Sequence, residues 1–362
     1  MPNITPELGL ALAVDSDDTA TYLETNLGGS LTTVDSLFNN TSGHTHSGAH
    51  QGGPITSAGV ADGSLTNAKL GPDVERNQLL TNGGFEIWQR GNGPFAANQL
   101  TADRWTSGMG AGGTASISRD ATNIDTSGGG LYAAAVTYTH GTGESYFYQP
   151  TYNETPHLKG RTISFSIRVR TSTANAVRPC IYDGAFTYGA YHSGDGTWQT
   201  LTVTRAVGTG ATGADVRLAL NASCTAYVDN ACLVVGSQPA NYVPLHPADD
   251  LARCQRYYKR YAATSTIPIP GGQAYSAGGF VTTLLMAPQL AVVPTLTVSA
   301  AGDWETSAAN LAYIQCSSLA ANVLHAQSCQ LIGGVASGLV AGNATNLQNV
   351  SGNSWLAFEA NP

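Results

Sequence analysis

His44 and His46 stand two residues apart in the run Gly43-His-Thr-His-Ser-Gly48. On extended backbone, side chains at i and i+2 point to the same side. One chain then offers two imidazoles, too few to close a coordination sphere. Three chains about a threefold axis would offer six nitrogens, an octahedral set suited to a first-row transition metal such as Fe or Zn. The same pair also fits a polar loop with solvated histidines, because His pairs are weak as motifs. A second group is aromatic. Tyr182, Tyr188, Tyr191 and Trp198 lie near the ends of candidate strands. A sugar site needs exposed aromatic faces beside polar groups in a cleft, and these four could supply them. Ordinary core or interface packing is the other use of such rings.

Turnover has no comparable support. The sequence contains no GxSxG, no HExxH and no Gly-rich phosphate loop. A polysaccharide-cleaving parallel β-helix would show regular repeats, and its chemistry would need paired carboxylates. No repeat is visible, and acids are few in the C-terminal half. The chain is expected not to be an enzyme, with carboxylates brought together by folding left open.

The elements that must carry these residues show in the composition. Charged residues make up 11% of the 362, under half of the roughly 25% usual in soluble domains. Glycine numbers 42 and tyrosine 16. Disordered acidic chains lack such aromatics, and coiled coils and helical enzymes use far more Glu and Lys. A turn-rich, mainly β protein remains. The net charge of −8 disfavours a nucleic-acid partner, whose phosphates need a basic face. Residues 1–50 hold six acids and no Lys or Arg, and no Lys or Arg follows Arg260. The region after Arg260, with only Asp303, Glu305 and Glu359 charged, makes a poor free surface, and another copy of the chain is expected to cover much of it. No apolar stretch reaches the length of a membrane span. The first residues have no basic region, so no secretory signal is expected. The six cysteines form no CxxC pair and are expected to be buried free thiols. Manufacture in a cytoplasm and work outside a cell would fit both features.

Four parts follow. Residues 1–43 carry two short helices, Asp17–Thr25 and Ser30–Phe38, neither able to stand alone in water. They read as an attachment segment or as a hairpin packed on its own domain. Residues 44–76 are a sparse, Gly-rich stretch with no core of its own, stable only if chains wrap together. Residues 77–246 are strand territory. In Arg161–Arg170, Ile163, Phe165, Ile167 and Val169 fall on one face. With Thr197–Thr204, Val216–Leu220 and Thr225–Val234, this predicts an antiparallel sandwich or jelly roll. Residues 247–362 open with a helix expected over Pro247–Tyr261, with Pro first, acids in the first turn and bases in the last. Candidate strands at Gly279–Met286, Thr295–Ser299, Ala312–Cys316, Asn322–Leu331 and Ser354–Glu359 then predict a C-terminal β-sandwich.

Several of these runs resemble fibres of tailed bacteriophages. Gly43–Gly48 is similar to the His-x-His motif of long tail fibres, whose members place a metal on the trimer axis. Asn77–Gly91 followed by Ala102-Asp-Arg-Trp105 resembles the opening of a fibre jelly roll related to carbohydrate-binding modules. Leu158–Ile167, Gly196-Thr-Trp-Gln199 and Tyr227-Val-Asp-Asn-Ala231 resemble its later strands, in the right order over about 77–240. Cys254-Gln-Arg-Tyr-Tyr258 and Trp355–Ala360 are similar to elements of fibre tips. The resemblance implies that Glu86 and Asp229 bring carboxylates together on a structural calcium, a cation that takes hard oxygen ligands. Pairing of Glu86 with Arg90 or Arg104, and capping of a turn by Asp229, are the alternatives. It further implies a homotrimeric virion appendage made in the host cytoplasm. That appendage would attach to other virion proteins through its N-terminus and bind host surface polysaccharide through its distal β domains. A virion-associated depolymerase and a purely structural collar or head fibre are the rival expectations.

Overall fold

The computed structural model describes residues 77–151, 155–262, 269–307, 313–350 and 354–361. The expected attachment segment (1–43), the expected shaft (44–76) and the His44/His46 pair lie outside the described residues.

The strands of 77–246 are β1 (Phe95–Ala96), β2 (Thr106–Gly108), β3 (Thr114–Asp120), β4 (Ala133–Thr139), β5 (Ser145–Pro150), β6 (Thr162–Arg170), β7 (Val177–Tyr182), β8 (Phe186–Tyr188), β9 (Trp198–Ala206), β10 (Asp215–Leu220) and β11 (Cys224–Val235). Helix α1 (Thr155–Leu158) precedes β6. They form a six-stranded sheet in the order β1-β3-β4-β11-β6-β9 and a five-stranded sheet in the order β2-β5-β10-β7-β8. Every strand pairing in these two sheets is antiparallel, as the alternation of β6 leads one to expect.

One core lies between the sheets. Ile163, Phe165, Ile167 and Val169 of β6 enter it from one side. Phe147 of β5, Val216, Leu218 and Leu220 of β10, and Val177 and Ile181 of β7 enter from the other. Phe85, Trp105 and Phe147 stack at its end with centroids 4.7, 5.3 and 6.0 Å apart. Burying one such ring stabilises the fold by roughly 1.5–3 kcal/mol. The opposite face of β6 is covered as well, which its alternation hid. Ser164 and Ser166 are buried because their hydroxyls donate to the carbonyls of Gly236 (2.8 Å) and Ala240 (2.7 Å) in the segment after β11. At the start of the sandwich Gly83 lies against β11. A Cβ there would stand 2.2 Å from the Ala231 carbonyl, so only glycine fits.

Helix α2 spans Pro247–Gln255, shorter than the charge order predicted. Its proline start and first-turn Asp249 and Asp250 are as expected. The Arg256 amide bonds back to Arg253 and Cys254, and the next residues leave as β12 (Tyr258–Ala262). Pairing with β20 (Trp355–Glu359) prevails over helix here. It places the Tyr258 ring under the Arg90 guanidinium (3.8 Å) and the Tyr261 ring edge-on to Phe358.

The remaining strands are β13 (Ile269–Ser276), β14 (Gly279–Leu285), β15 (Thr295–Val298), β16 (Trp304–Ser307), β17 (Tyr313–Leu324), β18 (Ser328–Val335) and β19 (Ala344–Asn349). The expected C-terminal sandwich is instead a closed barrel, β13-β14-β18-β17-β16-β19, beside a small sheet β12-β20-β15. Closure comes from β19, which pairs with both β13 and β16, and from bulges in β13, in its pairing with β19, and in β17, in its pairing with β18. The run 322–331 is not one strand. Leu324 ends β17, His325 bonds to the Ser328 carbonyl, and β18 begins. The barrel core holds Phe280, Trp304, Leu331 and Leu347. All six cysteines are free and buried.

Arg90 joins the sandwich to the C-terminal part, binding Asp103 (3.1 Å) and Glu359 (2.6 Å). Arg104 adds bonds to the Asn361 side chain and the Pro150 carbonyl, with its guanidinium 3.7 Å from the Tyr257 ring. Among the described residues no helix is long and apolar enough to cross a membrane.

Candidate functional site

The outward face of the five-stranded sheet collects rings and charges. Residues directly opposite on antiparallel strands share a face. Arg217 of β10 stands opposite Tyr148 on one side and Cys180 on the other, and Cys180 stands opposite Tyr188. Ala219 lies between Tyr146 and Arg178, and Asp215 lies opposite Tyr182. The alternate positions Phe147, Val216 and Leu218 point into the core, so these residues point out.

Phe186 of β8 crowns this face. It is 40% exposed, whereas Tyr146 beneath is only 7% exposed. Its ring stacks on Tyr146 (5.6 Å) and Tyr188 (5.8 Å) and tilts against Tyr182 (4.6 Å). The Arg217 guanidinium lies 4.4 Å from the Tyr182 ring and 4.8 Å from the Tyr146 ring, and it pairs with Asp215 at 2.5 Å. Arg178 lies 3.7 Å from the Tyr188 ring and 4.6 Å from the Tyr191 ring. Guanidinium groups so placed hold the rings in fixed orientations by cation–π attraction.

Glu144, just before β5, ties the rim together. Its carboxylate accepts from the Tyr146 and Tyr188 hydroxyls, and those two hydroxyls are 3.2 Å apart. The two phenol donors, first that of Tyr146, hold the carboxyl below its ordinary range. Glu144 is therefore an anion on the exposed rim. Cys180 lies beneath, where burial pushes its thiol up to about 11 and leaves it unreactive. The surface offers an exposed ring, flanking phenol hydroxyls, a carboxylate and two guanidinium groups. An apolar face ringed by fixed donors and acceptors suits a polyhydroxylated ring.

Three of the four aromatics singled out in the sequence meet here: Tyr182, Tyr188 and Tyr191. Trp198 does not join them. It opens β9 opposite Arg170, on the side of the six-stranded sheet away from the core residues Leu201 and Val203. Phe186, Tyr146, Glu144, Arg178 and Arg217 were not singled out. The available signal was the Arg and Tyr residues at alternate positions between core residues, as in Tyr146-Phe147-Tyr148 and Val216-Arg217-Leu218.

A second cluster lies where the β3–β4 connection folds over the end of β11. A bulge between Asp229 and Cys232 breaks the register, with Asn230 at φ +48°. The Asp229 carboxylate accepts the amides of Asp125 (3.2 Å) and Asn230 (2.7 Å). Glu86 accepts the amide of Leu131 (2.6 Å). Glu86 does not pair with Arg90 or Arg104, which bind elsewhere, whereas Asp229 takes main-chain amides as the turn-capping alternative has it. A Cβ on Gly130 would stand 3.1 Å from Glu86 Oε1 and 3.5 Å from Asp229 Oδ2, so the two carboxylates flank one small space. Burial, with a smaller push from the Asp125 and Glu86 charges, raises Asp229 to about 8. Burial raises Glu86 too. Two hard oxygen donors that face one small space, both raised mainly by burial, are groups that a divalent cation such as calcium could hold ionised. No group of three His, Cys, Asp or Glu side chains is placed for a metal among the described residues, so main-chain carbonyls would have to complete the shell.

No family model and no curated protein matches the sequence. Solved structures do superpose. One is the CBM22-1 xylan-binding domain of Paenibacillus barcinonensis Xyn10C (15% identity, 45% of this chain, 97% of that chain, TM-score 0.30). Another is TmCBM61 in complex with beta-1,4-galactotriose (11% identity, 44% of this chain, 100% of that chain, TM-score 0.31). A third is the enzymatically active domain of bacteriophage CBA120 tailspike protein 4 (10% identity, 44% of this chain, 21% of that chain, TM-score 0.31).

Proposed function

We propose that the protein binds a glycan through the outward face of its five-stranded sheet. The observation that supports this most is Phe186, an exposed ring stacked on Tyr146 and Tyr188 and flanked by the Glu144 carboxylate and the Arg178 and Arg217 guanidinium groups. Aromatic rings with fixed polar neighbours bind sugar rings without needing to transform them. The proposed role is adhesion without turnover. The resemblance of Gly43–Gly48 and Asn77–Gly91 to phage fibres extends it. The chain would be a homotrimeric virion appendage, held to other virion proteins by residues 1–43 and presenting its sandwich and barrel to host surface polysaccharide. Three sites on one axis would multiply weak sugar contacts by avidity. Glu86 and Asp229 would hold calcium behind the sugar face, as a fixed structural ion. His44 and His46 would hold a transition metal on the trimer axis.

The test is a panel of bacterial surface polysaccharides presented to the purified protein, with reducing-sugar release followed on the polymers it binds. Saturable binding without release, together with blocked phage adsorption, is expected. Release of reducing sugar would instead make the protein a depolymerase. Binding without any block of adsorption would make it an appendage with no receptor role.

A further inference from the structure

Arg178 sits on the proposed glycan face without an ion-pair partner. It projects from β7 beside Ala219 of β10, and its guanidinium lies between the Tyr188 and Tyr191 rings, 3.7 and 4.6 Å from their centroids. Its neighbour Arg217 is neutralised by Asp215 at 2.5 Å. Arg178 has no such partner. Among the described residues no carboxylate pairs with it, and no oxygen accepts from its terminal amino groups. The acidic side chain that its charge reaches, Glu144, has both oxygens taken by Tyr146 and Tyr188. Its Nε is buried without an acceptor, which closes that edge of the group. The edge left open is the pair of terminal amino groups.

Two flanking rings fix the plane of this guanidinium, so little rotamer freedom remains to be lost on binding. A fixed, half-buried guanidinium with no acceptor is matched by a planar anion, because parallel N–H bonds to a carboxylate are both directional and charge-assisted. Tyr188 connects it to Phe186, whose ring stacks on Tyr188 at 5.8 Å. A sugar stacked on Phe186, or its neighbour in the polymer, would bring a ring substituent to Arg178. A neutral hydroxyl would satisfy one N–H but leave the charge unpaired.

We propose that the ligand is an acidic glycan, a uronic-acid-containing polysaccharide whose carboxylate is taken by Arg178. The inference rests on the glycan reading of this face and narrows it to a class. The chain carries net charge −8, so an acidic polymer gains nothing from the protein as a whole, and the attraction must be local to this group.

The test is calorimetric titration of the full chain with alginate, polygalacturonate and hyaluronate, each beside its carboxyl-reduced counterpart. At least one acidic polymer should bind. Carboxyl reduction should weaken that polymer by roughly ten- to a hundredfold, the worth of a hydrogen bond to a charged group. Arg178→Gln should weaken the acidic polymer more than the reduced one, closing most of the difference between them, while Arg178→Lys restores part of that difference. Equal binding of acidic and reduced polymers overturns the acidic class while keeping the glycan reading. Equal loss on both polymers in Arg178→Gln does the same, by making Arg178 a structural prop. Binding of neither kind overturns both. The comparison of polymers leaves the protein unaltered, so a variant that folds poorly cannot decide it.

Discussion

At the scale of single residues, burial sets the charges that matter. Asp103 is bound by Arg90 (3.1 Å) and by the Gln89 amide (2.6 Å), yet its burial outweighs both and pushes its carboxyl up to about 7. A carboxyl raised on folding favours the protonated native state. Its contribution to stability is full below the ordinary value of 3.8 and is lost as pH rises through about 7. Melting temperature should therefore fall between pH 4 and 7, and Asp103→Asn should remove that part of the slope. An unchanged slope in the variant would place its cause elsewhere. Replacing Arg90 by methionine leaves Asp103 buried without its partner and should cost about 3 kcal/mol in denaturant titrations. Residue types were the legible part of the site. Tyr182, Tyr188 and Tyr191 stood out as rings. Arg178 and Arg217 did not, because an arginine on a strand face looks solvated until its neighbours across the sheet are known. Glu144 was silent for the same reason, since its partners include Tyr188, 44 positions away.

At the scale of elements, alternation was legible where the strands are rich in β-branched and aromatic residues. Strands β6, β9, β10 and β11 lie within two residues of their expected bounds. Strands β3 and β4 escaped notice because Thr114–Asp120 and Ala133–Thr139 are built from small residues with little apolar contrast. The helix at Pro247 kept its start and lost its last six residues, four of them to β12, since helical charge order cannot register a strand partner a hundred residues away. The β3–β4 connection is the element most open to test. It is folded over Glu86 and Asp229 by the Leu131 and Asp125 amides, around two carboxyl groups that burial raises. Added calcium should raise the melting temperature and a chelator should lower it. The stabilisation should be about 2.7 kcal/mol at a hundredfold excess over Kd. Glu86→Gln should abolish the response. A melt indifferent to chelator and calcium would leave the cradle a hydrogen-bonded loop anchor.

At the scale of the whole molecule, the C-terminal part combines low charge with exposed apolar side chains. No Lys or Arg follows Arg260, and Leu285, Val293 and Val340 are each more than half exposed. Such a surface is poorly suited to a free monomer. Light scattering should give three chains per particle, and elemental analysis should find about one third of a transition-metal atom per chain if one octahedral site is shared. A monomer would contradict the trimer, and its absence of metal would return His44 and His46 to a solvated loop. The proposed glycan binding, however, turns on one exposed ring. Phe186 is crown, not core, so Phe186→Ala should melt like the parent. On a polysaccharide that the parent binds, titration should show the variant roughly tenfold weaker, the worth of a lost stacking partner. Equal affinity of parent and variant for that polysaccharide would contradict glycan binding at this face.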